Sequence, residues 1–127
     1  YVMMQTLTVG CSTIEAPPFH ASSNPGLERC AQREWRAAGG YATLTLDGTK
    51  LRPSGYVRAT NAFRFRMPAQ HNLLRIPGKT SGRTAVVGMS AIIPPLSPGR
   101  HSLVISSGFR NAGPTRFPTS TYILTTS

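Results

Sequence analysis

Cys11 and Cys30 are the residues of this chain with the most distinctive chemistry. A zinc site usually takes four ligands in paired spacings, whereas this chain offers two isolated cysteines and three scattered histidines. A nucleophilic cysteine needs a histidine to deprotonate it and a third group to orient that histidine, and nothing in the local sequence supplies the third group. The even cysteine count favours a disulfide, which closes a loop of about twenty residues and stabilises the fold by roughly 3 kcal/mol.

Other candidate residues for a ligand pocket or a mononuclear metal site are Glu15, His20, His71 and His101. Glu15 is the one acidic residue outside a predicted turn or helix, so the paired carboxyl groups of glycoside hydrolysis are missing. The histidines show no H-x-H spacing, which argues against a metal site. The structural interpretation of Glu15 is that it accepts hydrogen bonds from loop or helix-start amides or pairs with an arginine. We expect no catalytic residue, no metal and no cofactor.

The chain is strongly basic, with 14 Lys and Arg residues against 4 Asp and Glu and a net charge of +10. Arg58, Arg64 and Arg66 share strand parity and could form a basic stripe for an anionic ligand, although the simpler interpretation is that they are solvated faces of an Arg-rich protein. Nucleic-acid binding would require aromatic residues beside the arginines, and the alternation instead places Phe63 and Phe65 on the opposite, buried face. Anionic polysaccharide or lipid head groups are therefore the expected partners, and nucleic acid is not.

A helix is expected over about residues 25–38, near the N-terminus. Asn24 is a good N-cap, Pro25 suits the first helical position, and Gly39 follows the last turn. The apolar residues of this segment form one stripe, made of Leu27, Cys30, Ala31, Trp35 and Ala38. Cys30 thus lies on the buried side of the helix, and residues 2–9 form a strand that ends beside Cys11.

The rest of the chain reads as short strands separated by turns. The pair Asp47-Gly48 lies between alternating segments and predicts a tight hairpin, and Pro98-Gly99 predicts a second turn. Residues 84–93 are apolar on both faces, which indicates a central strand. The expected fold is mainly β, an antiparallel β-sandwich or jelly roll with one short helix, in a single domain over residues 1–127.

Composition points to an exported protein. Of the 127 residues, 14% are charged, against roughly 25% in typical soluble domains. No apolar run approaches the length of a membrane-spanning helix, and no signal peptide precedes Tyr1, so we expect a processed or truncated product. The predicted location is secreted, at the cell surface or in the periplasm.

A family resemblance covers nearly the whole chain, in order. It is carried by "CSTIEAPPF", "LERCA", "ATLTLDGTKL", "FRFRMP", "PPLSPGRHSLVISSGF" and "STYILTTS". In these motifs the chain resembles a family of uncharacterised bacterial secreted β-sandwich proteins. The resemblance implies export and a β-sandwich, and it carries over no catalytic residue. Members usually have a further upstream segment with another strand, which this chain lacks.

Two functions from different classes follow from these observations. The first is a non-catalytic exported β-sandwich that acts in binding or assembly at the cell surface or envelope, through a basic face or by strand exchange. A terminal strand, at residues 1–9 or 120–127, would then pair with a neighbouring chain to form an oligomer or filament. The alternative is a small extracytoplasmic hydrolase or metal-dependent enzyme of unrecognised type.

Overall fold

Strands make up most of the structure. A computed structural model describes residues 1–51, 56–111 and 119–127. Within these residues the strands are β1 (Val2–Ser12), β2 (Gly40–Leu46), β3 (Thr49–Leu51), β4 (Tyr56–Ala59), β5 (Phe63–Arg66), β6 (Ser81–Ile93), β7 (Gly99–Phe109) and β8 (Ser120–Thr126). The helix is α1 (Asn24–Ala38). The prediction of a mainly β fold with one short helix is confirmed for the described residues.

The described strands form two sheets. One has the order β1-β6-β4, with β5 also paired to β6, so β6 is the central strand that its apolar faces predict. The other has the order β3-β2-β7-β8, and all its neighbours run antiparallel. The N-terminal strand β1 pairs with β6 of its own chain, and β8 lies at the end of its sheet. Self-association through a terminal strand stays a prediction.

The described residues group into two compact units. Unit 1 consists of Tyr1–Leu7, Ala38–Val57 and Gly88–Ser127. Unit 2 consists of Thr8–Ala37 and Arg58–Val87. Strands β1, β4 and β6 contribute residues to both units. That the units fold together as the single domain expected over residues 1–127 stays a prediction.

Unit 1 has a sandwich core between strands. Its buried residues are Ala42, Leu44, Ala91, Ile93, Leu103 and Ile105. They come from β2 and β7 on one side and from β6 on the other, which is the two-layer packing of a β-sandwich. Along β2 the buried Leu44 alternates with the exposed Thr43, as the period of a half-buried strand requires.

The hairpin between β2 and β3 forms as predicted. Asp47 has a φ of 47° and Gly48 a φ of 78°, so both central residues lie in the left-handed region. A two-residue hairpin loop with positive φ at both positions matches the twist of its strands, and Asp-Gly tolerates it well. The turn fixes the position of the Asp47 carboxylate, which matters below.

Unit 2 is built on a helix that packs against strands. Its buried cluster consists of Cys11, Leu27, Cys30, Ala31, Ala85 and Val87. Cys11 of β1 and Cys30 of α1 form the predicted disulfide, with 0% and 2% of their surfaces exposed. The bridge joins the helix to β1 within the apolar cluster, so the covalent link and the hydrophobic packing hold the same two elements together.

The helix begins with a different cap from the one expected. The Ser23 hydroxyl accepts a hydrogen bond from the Gly26 N–H at 3.2 Å, and the Leu27 N–H donates to the Ser23 carbonyl at 2.9 Å. Ser23 is therefore the N-cap, and Pro25 is the second helical residue. The Asn24 side-chain oxygen instead accepts a hydrogen bond from Arg83. Ser and Asn are comparable caps, so this tertiary contact decides between them.

The predicted burial of β5 is wrong for Phe63, although the strand itself is confirmed. Phe63 is 46% exposed. Arg64 lies opposite Arg83 in the register of β5 and β6, and Arg83 shares a face of β6 with Ala85 and Val87, which pack against α1. The helix therefore covers the face of β6 that carries Ala85 and Val87, and Phe63 lies on the opposite face. Alternation gives the period of a strand but does not say which of its faces is covered.

Candidate anion-binding site

The three predicted stripe arginines lie on neighbouring partners of one strand. Arg58 is in β4 and Arg64 and Arg66 are in β5, and both strands pair with β6. All three side chains are exposed. The register places Arg64 opposite Arg83 and Arg66 opposite Ser81, so these two arginines share a face of β5 as their spacing predicts.

Arg64 lines a cavity that we call the basic cavity. It has a volume of about 490 Å³, within the range of small-molecule binding sites. Its walls include His20, Ser22, Arg64, Phe65, Ser81 and Arg83. The cavity thus combines three nitrogen-bearing side chains with hydroxyl groups and one aromatic ring, and it lies entirely within unit 2.

Local pairing brings the distant parts of this cavity together. The Ser12 N–H donates to the Phe19 carbonyl at 3.0 Å, and Ser12 forms a β-bridge with His20. These contacts fold the loop after β1 back beside the end of that strand. The Thr13 N–H in turn donates to the Arg83 carbonyl at 3.0 Å, which joins the same segment to β6.

Arg83 is held in place by neutral groups. Its Nη1 donates to the Asn24 side-chain oxygen at 2.7 Å, and its Nη2 donates to the Ser22 carbonyl at 2.7 Å. The side chain is half-buried. Because neither acceptor carries a charge, these bonds orient the guanidinium without neutralising it. An oriented guanidinium is suited to bidentate recognition of a carboxylate or phosphate.

Arg64 adds a second positive charge directly across the strand pair from Arg83. Among the described residues, neither guanidinium is paired with a carboxylate. Like charges opposite each other in antiparallel strands destabilise a sheet. The arrangement therefore costs the protein stability unless an anion lies between or beside the two side chains.

Gly82 allows two residues of the cavity lining to pack closely against β6. A Cβ atom at this position would lie 2.9 Å from the Thr13 hydroxyl oxygen and 3.3 Å from a ring carbon of Phe65. The Thr13 hydroxyl is itself engaged, because it accepts a hydrogen bond from the Arg83 N–H at 3.1 Å. A side chain at residue 82 would force Thr13 and Phe65 away from β6, so the close packing of this wall requires glycine.

The four candidate pocket residues have different surroundings. His20 lines the basic cavity, and His71 lines a second cavity of about 390 Å³ with Gln70, Asn72 and Arg75. Glu15 is half-buried and lines neither cavity. His101 contacts Asp47 in unit 1. Within the described ranges, no three His, Cys, Asp or Glu side chains are grouped so that they could hold a metal ion.

Arg83, Ser22 and Phe65 were not expected to belong to this site. Arg83 did carry a signal, because it is a charged residue at the start of a strand whose alternate residues, Ala85 and Val87, are buried. A charge on the covered face of a strand needs a partner or a function. The contribution of Ser22 depends on the path of the loop after β1, for which the sequence shows no comparable pattern.

His101 forms a charged link to the β2–β3 turn. Its Nδ1 lies 2.7 Å from Asp47 Oδ2 and its Nε2 lies 2.9 Å from the Ser97 carbonyl oxygen. An imidazole that donates from both nitrogens is the protonated form. The hydrogen bond to Asp47, and then the one to Ser97, raise the pKa of His101 above its ordinary 6.5. The same contact with His101, followed by the bond from the Ser102 N–H, lowers the pKa of Asp47 below 3.8.

The stability that this pair supplies is expected to depend on pH in two directions. Because folding raises the pKa of His101, its contribution is complete below pH 6.5 and is lost as the pH rises through the raised value. Because folding lowers the pKa of Asp47, its contribution is complete above pH 3.8 and is lost as the pH falls through the lowered value.

Urea unfolding of the wild type and of Asp47→Asn across this range measures the effect. Asparagine tolerates positive φ and keeps an oxygen acceptor for the Ser102 N–H, so the substitution removes mainly the charge. The wild type should exceed the variant in stability most between the two titrations, with a smaller difference at either extreme. A difference that does not change with pH would contradict the assignment of a charged pair.

Comparisons with known proteins identify no relative of this chain. No family model matches the chain, and no curated protein or solved structure is similar enough to it to indicate a relationship. Among the described residues, no helix is both long and apolar enough to cross a membrane. The resemblance to bacterial secreted proteins therefore stays a prediction, and the geometry of the basic cavity is what indicates a function.

Proposed function

We propose that this chain is an exported, non-catalytic β-sandwich protein that binds an anionic group of a cell-envelope polymer or lipid through the basic cavity. One observation carries the proposal: Arg83, oriented by two neutral acceptors, lies opposite Arg64, and neither has a carboxylate partner among the described residues. Two guanidinium groups without counter-charges favour a bound anion over either side chain alone.

Two further features support this proposal. The net charge of +10 attracts polyanions over a distance, which raises the rate of encounter. The disulfide between Cys11 and Cys30 is typical of proteins that work in an oxidising compartment outside the cytoplasm. Both features fit a protein of the cell surface or periplasm, where anionic polymers and lipid head groups are abundant.

Binding to polygalacturonate, neutral dextran and anionic phospholipid vesicles tests the proposal. We expect the wild type to bind an anionic surface and not to bind dextran. Its affinity should fall steeply as the salt concentration is raised. Arg83→Gln should weaken binding by about tenfold or more, because a charge-assisted hydrogen bond contributes about 1.5–3 kcal/mol.

Arg29→Gln is the matched control for this experiment. Arg29 is exposed on α1, loses the same charge in the substitution and does not line the cavity. It should change affinity by less than about twofold, as a screened surface charge does. Equal losses in the two variants would mean that net charge alone attracts the polymer. Binding to neither anionic surface at low salt would overturn the proposal.

A further inference from the structure

We infer that the basic cavity takes a sugar ring that carries a carboxylate, as in a uronic acid residue of an anionic polysaccharide. This inference rests on the proposed function and names the chemistry of its ligand. The arginines Arg64 and Arg83 receive the carboxylate, the ring of Phe65 receives the apolar face of the sugar, and the surrounding hydroxyl groups bind the sugar hydroxyls.

The cavity has room for a ligand larger than a simple anion. Its volume of about 490 Å³ is more than ten times the roughly 30 Å³ that one water molecule occupies in the liquid. A lone carboxylate or sulfate bound by the arginines would leave most of this space filled with water. A ligand with a ring attached to the acidic group fills the space and contacts the other walls as well.

Phe65 gives the cavity an apolar wall. In the register of β5 and β6 it lies opposite Gly82, on the other face of the strand pair from Arg64 and Arg83, so the cavity is lined from both faces of this pair. Phe65 is half-buried, so part of its ring remains accessible. Aromatic rings provide a flat apolar surface at low cost in conformational entropy. This surface is not needed for an anion, but it suits the C–H face of a sugar.

Hydroxyl groups complete the match to a sugar. Ser22, Ser81 and Thr13 line the cavity, and each carries a side-chain hydroxyl group. The Thr13 hydroxyl already accepts from the Arg83 N–H, and its own proton can still be donated to a ligand oxygen. The serine hydroxyls both donate and accept, as the alternating needs of sugar hydroxyl groups require.

A nucleotide would also combine an anion with a ring, but the disulfide argues against it. Disulfides persist in compartments outside the cytoplasm and are rare where most nucleic acids are found. The buried bridge between Cys11 and Cys30 lies in the same unit as the cavity and helps to hold the loop that supplies His20 and Ser22. An acidic polysaccharide of the envelope is therefore the favoured occupant.

Titration calorimetry with four small ligands tests the inference: D-galacturonate, D-galactose, acetate and uridine monophosphate. Galacturonate should bind at least about tenfold more tightly than galactose or acetate, because it alone engages both the arginines and the ring surface. Trigalacturonate serves as a second probe if the monosaccharide affinity is low, and the same order relative to a neutral trisaccharide is expected.

The pair Phe65→Leu and Phe63→Leu locates the ring contact. Phe65→Leu should weaken galacturonate binding by about three- to tenfold, the size of a typical aromatic contact, and leave sulfate binding unchanged. Phe63→Leu makes the same change two residues away on the same strand, at a side chain that does not line the cavity, and should leave both affinities unchanged.

The outcomes separate the inference from the proposed function. If acetate binds as tightly as galacturonate, and Arg83→Gln still weakens binding, the assignment of a sugar ligand is wrong and the anion site remains. The sugar assignment is also wrong if uridine monophosphate binds more tightly than galacturonate, or if anionic vesicles bind and uronates do not. If none of these anions and no sulfate binds, both the inference and the proposed function fall.

Discussion

Replacing Cys11 and Cys30 together by alanine is expected to lower the free energy of unfolding by about 3 kcal/mol. The bridge spans a sequence separation of 19 residues, and a loop of this length loses much of its freedom in the unfolded chain when it is closed. Alanine also removes two packed sulfur atoms from the folded state, because both residues belong to the buried cluster of unit 2. A loss of this size is a large share of the 5–15 kcal/mol typical of a domain.

Urea unfolding with and without dithiothreitol measures this prediction and supplies its control. The reductant should lower the wild-type midpoint towards that of the double variant, which also loses the packing of both sulfur atoms, and should not affect the variant. Two free thiols in the untreated wild type would contradict the bridge itself. A stability loss below about 1 kcal/mol would contradict its assigned role, since the removal of a native disulfide typically costs about 2–5 kcal/mol.

Replacing Arg64 by threonine is expected to stabilise the free protein while it weakens ligand binding. Arg64 lies opposite Arg83, and removal of one like charge from a cross-strand pair should add about 0.2–1 kcal/mol of stability. Threonine has a high β propensity, so β5 should be preserved. Affinity for the anionic ligand should fall by about tenfold, because one charge-assisted hydrogen bond is lost.

Arg66→Thr is the matched control for this trade-off. Arg66 is on the same face of β5 and loses the same charge, but it lies opposite Ser81 and does not line the cavity. It should therefore bring little gain in stability and little loss in affinity. Thermal unfolding and titration of both variants give the comparison. An Arg64→Thr variant that is less stable than the wild type, or that binds as tightly, would contradict the two-arginine site.

Features encoded by neighbouring residues were predictable from the sequence. Asp47-Gly48 specifies its hairpin through the positive φ of two adjacent residues. The helix follows from an apolar stripe and a closing glycine, and the disulfide follows from a cysteine on that stripe and a second one at the end of a strand. Each signal lies within a short stretch of chain, where geometry is set by local sterics and periodicity.

Features that depend on distant partners were not predictable in the same way. The exposure of Phe63 depends on which face of β5 the helix covers, and the choice of Ser23 as the cap depends on Arg83, about sixty residues along the chain. Arg64 and His20 were recognised individually as candidates. Arg64 and His20 lie near Arg83 because of the register of β5 against β6 and because the Ser12–Phe19 hydrogen bond sets the path of the loop.

Amide chemical shifts during a titration with sodium sulfate test most directly whether anions bind in the basic cavity. Sodium chloride at matched ionic strength separates specific shifts from screening. The account predicts saturable shifts concentrated at His20, Ser22, Gly82 and Arg83, and their loss in Arg83→Gln. Shifts spread evenly over exposed arginines such as Arg29 and Arg100, or confined to the second cavity around His71, would contradict it.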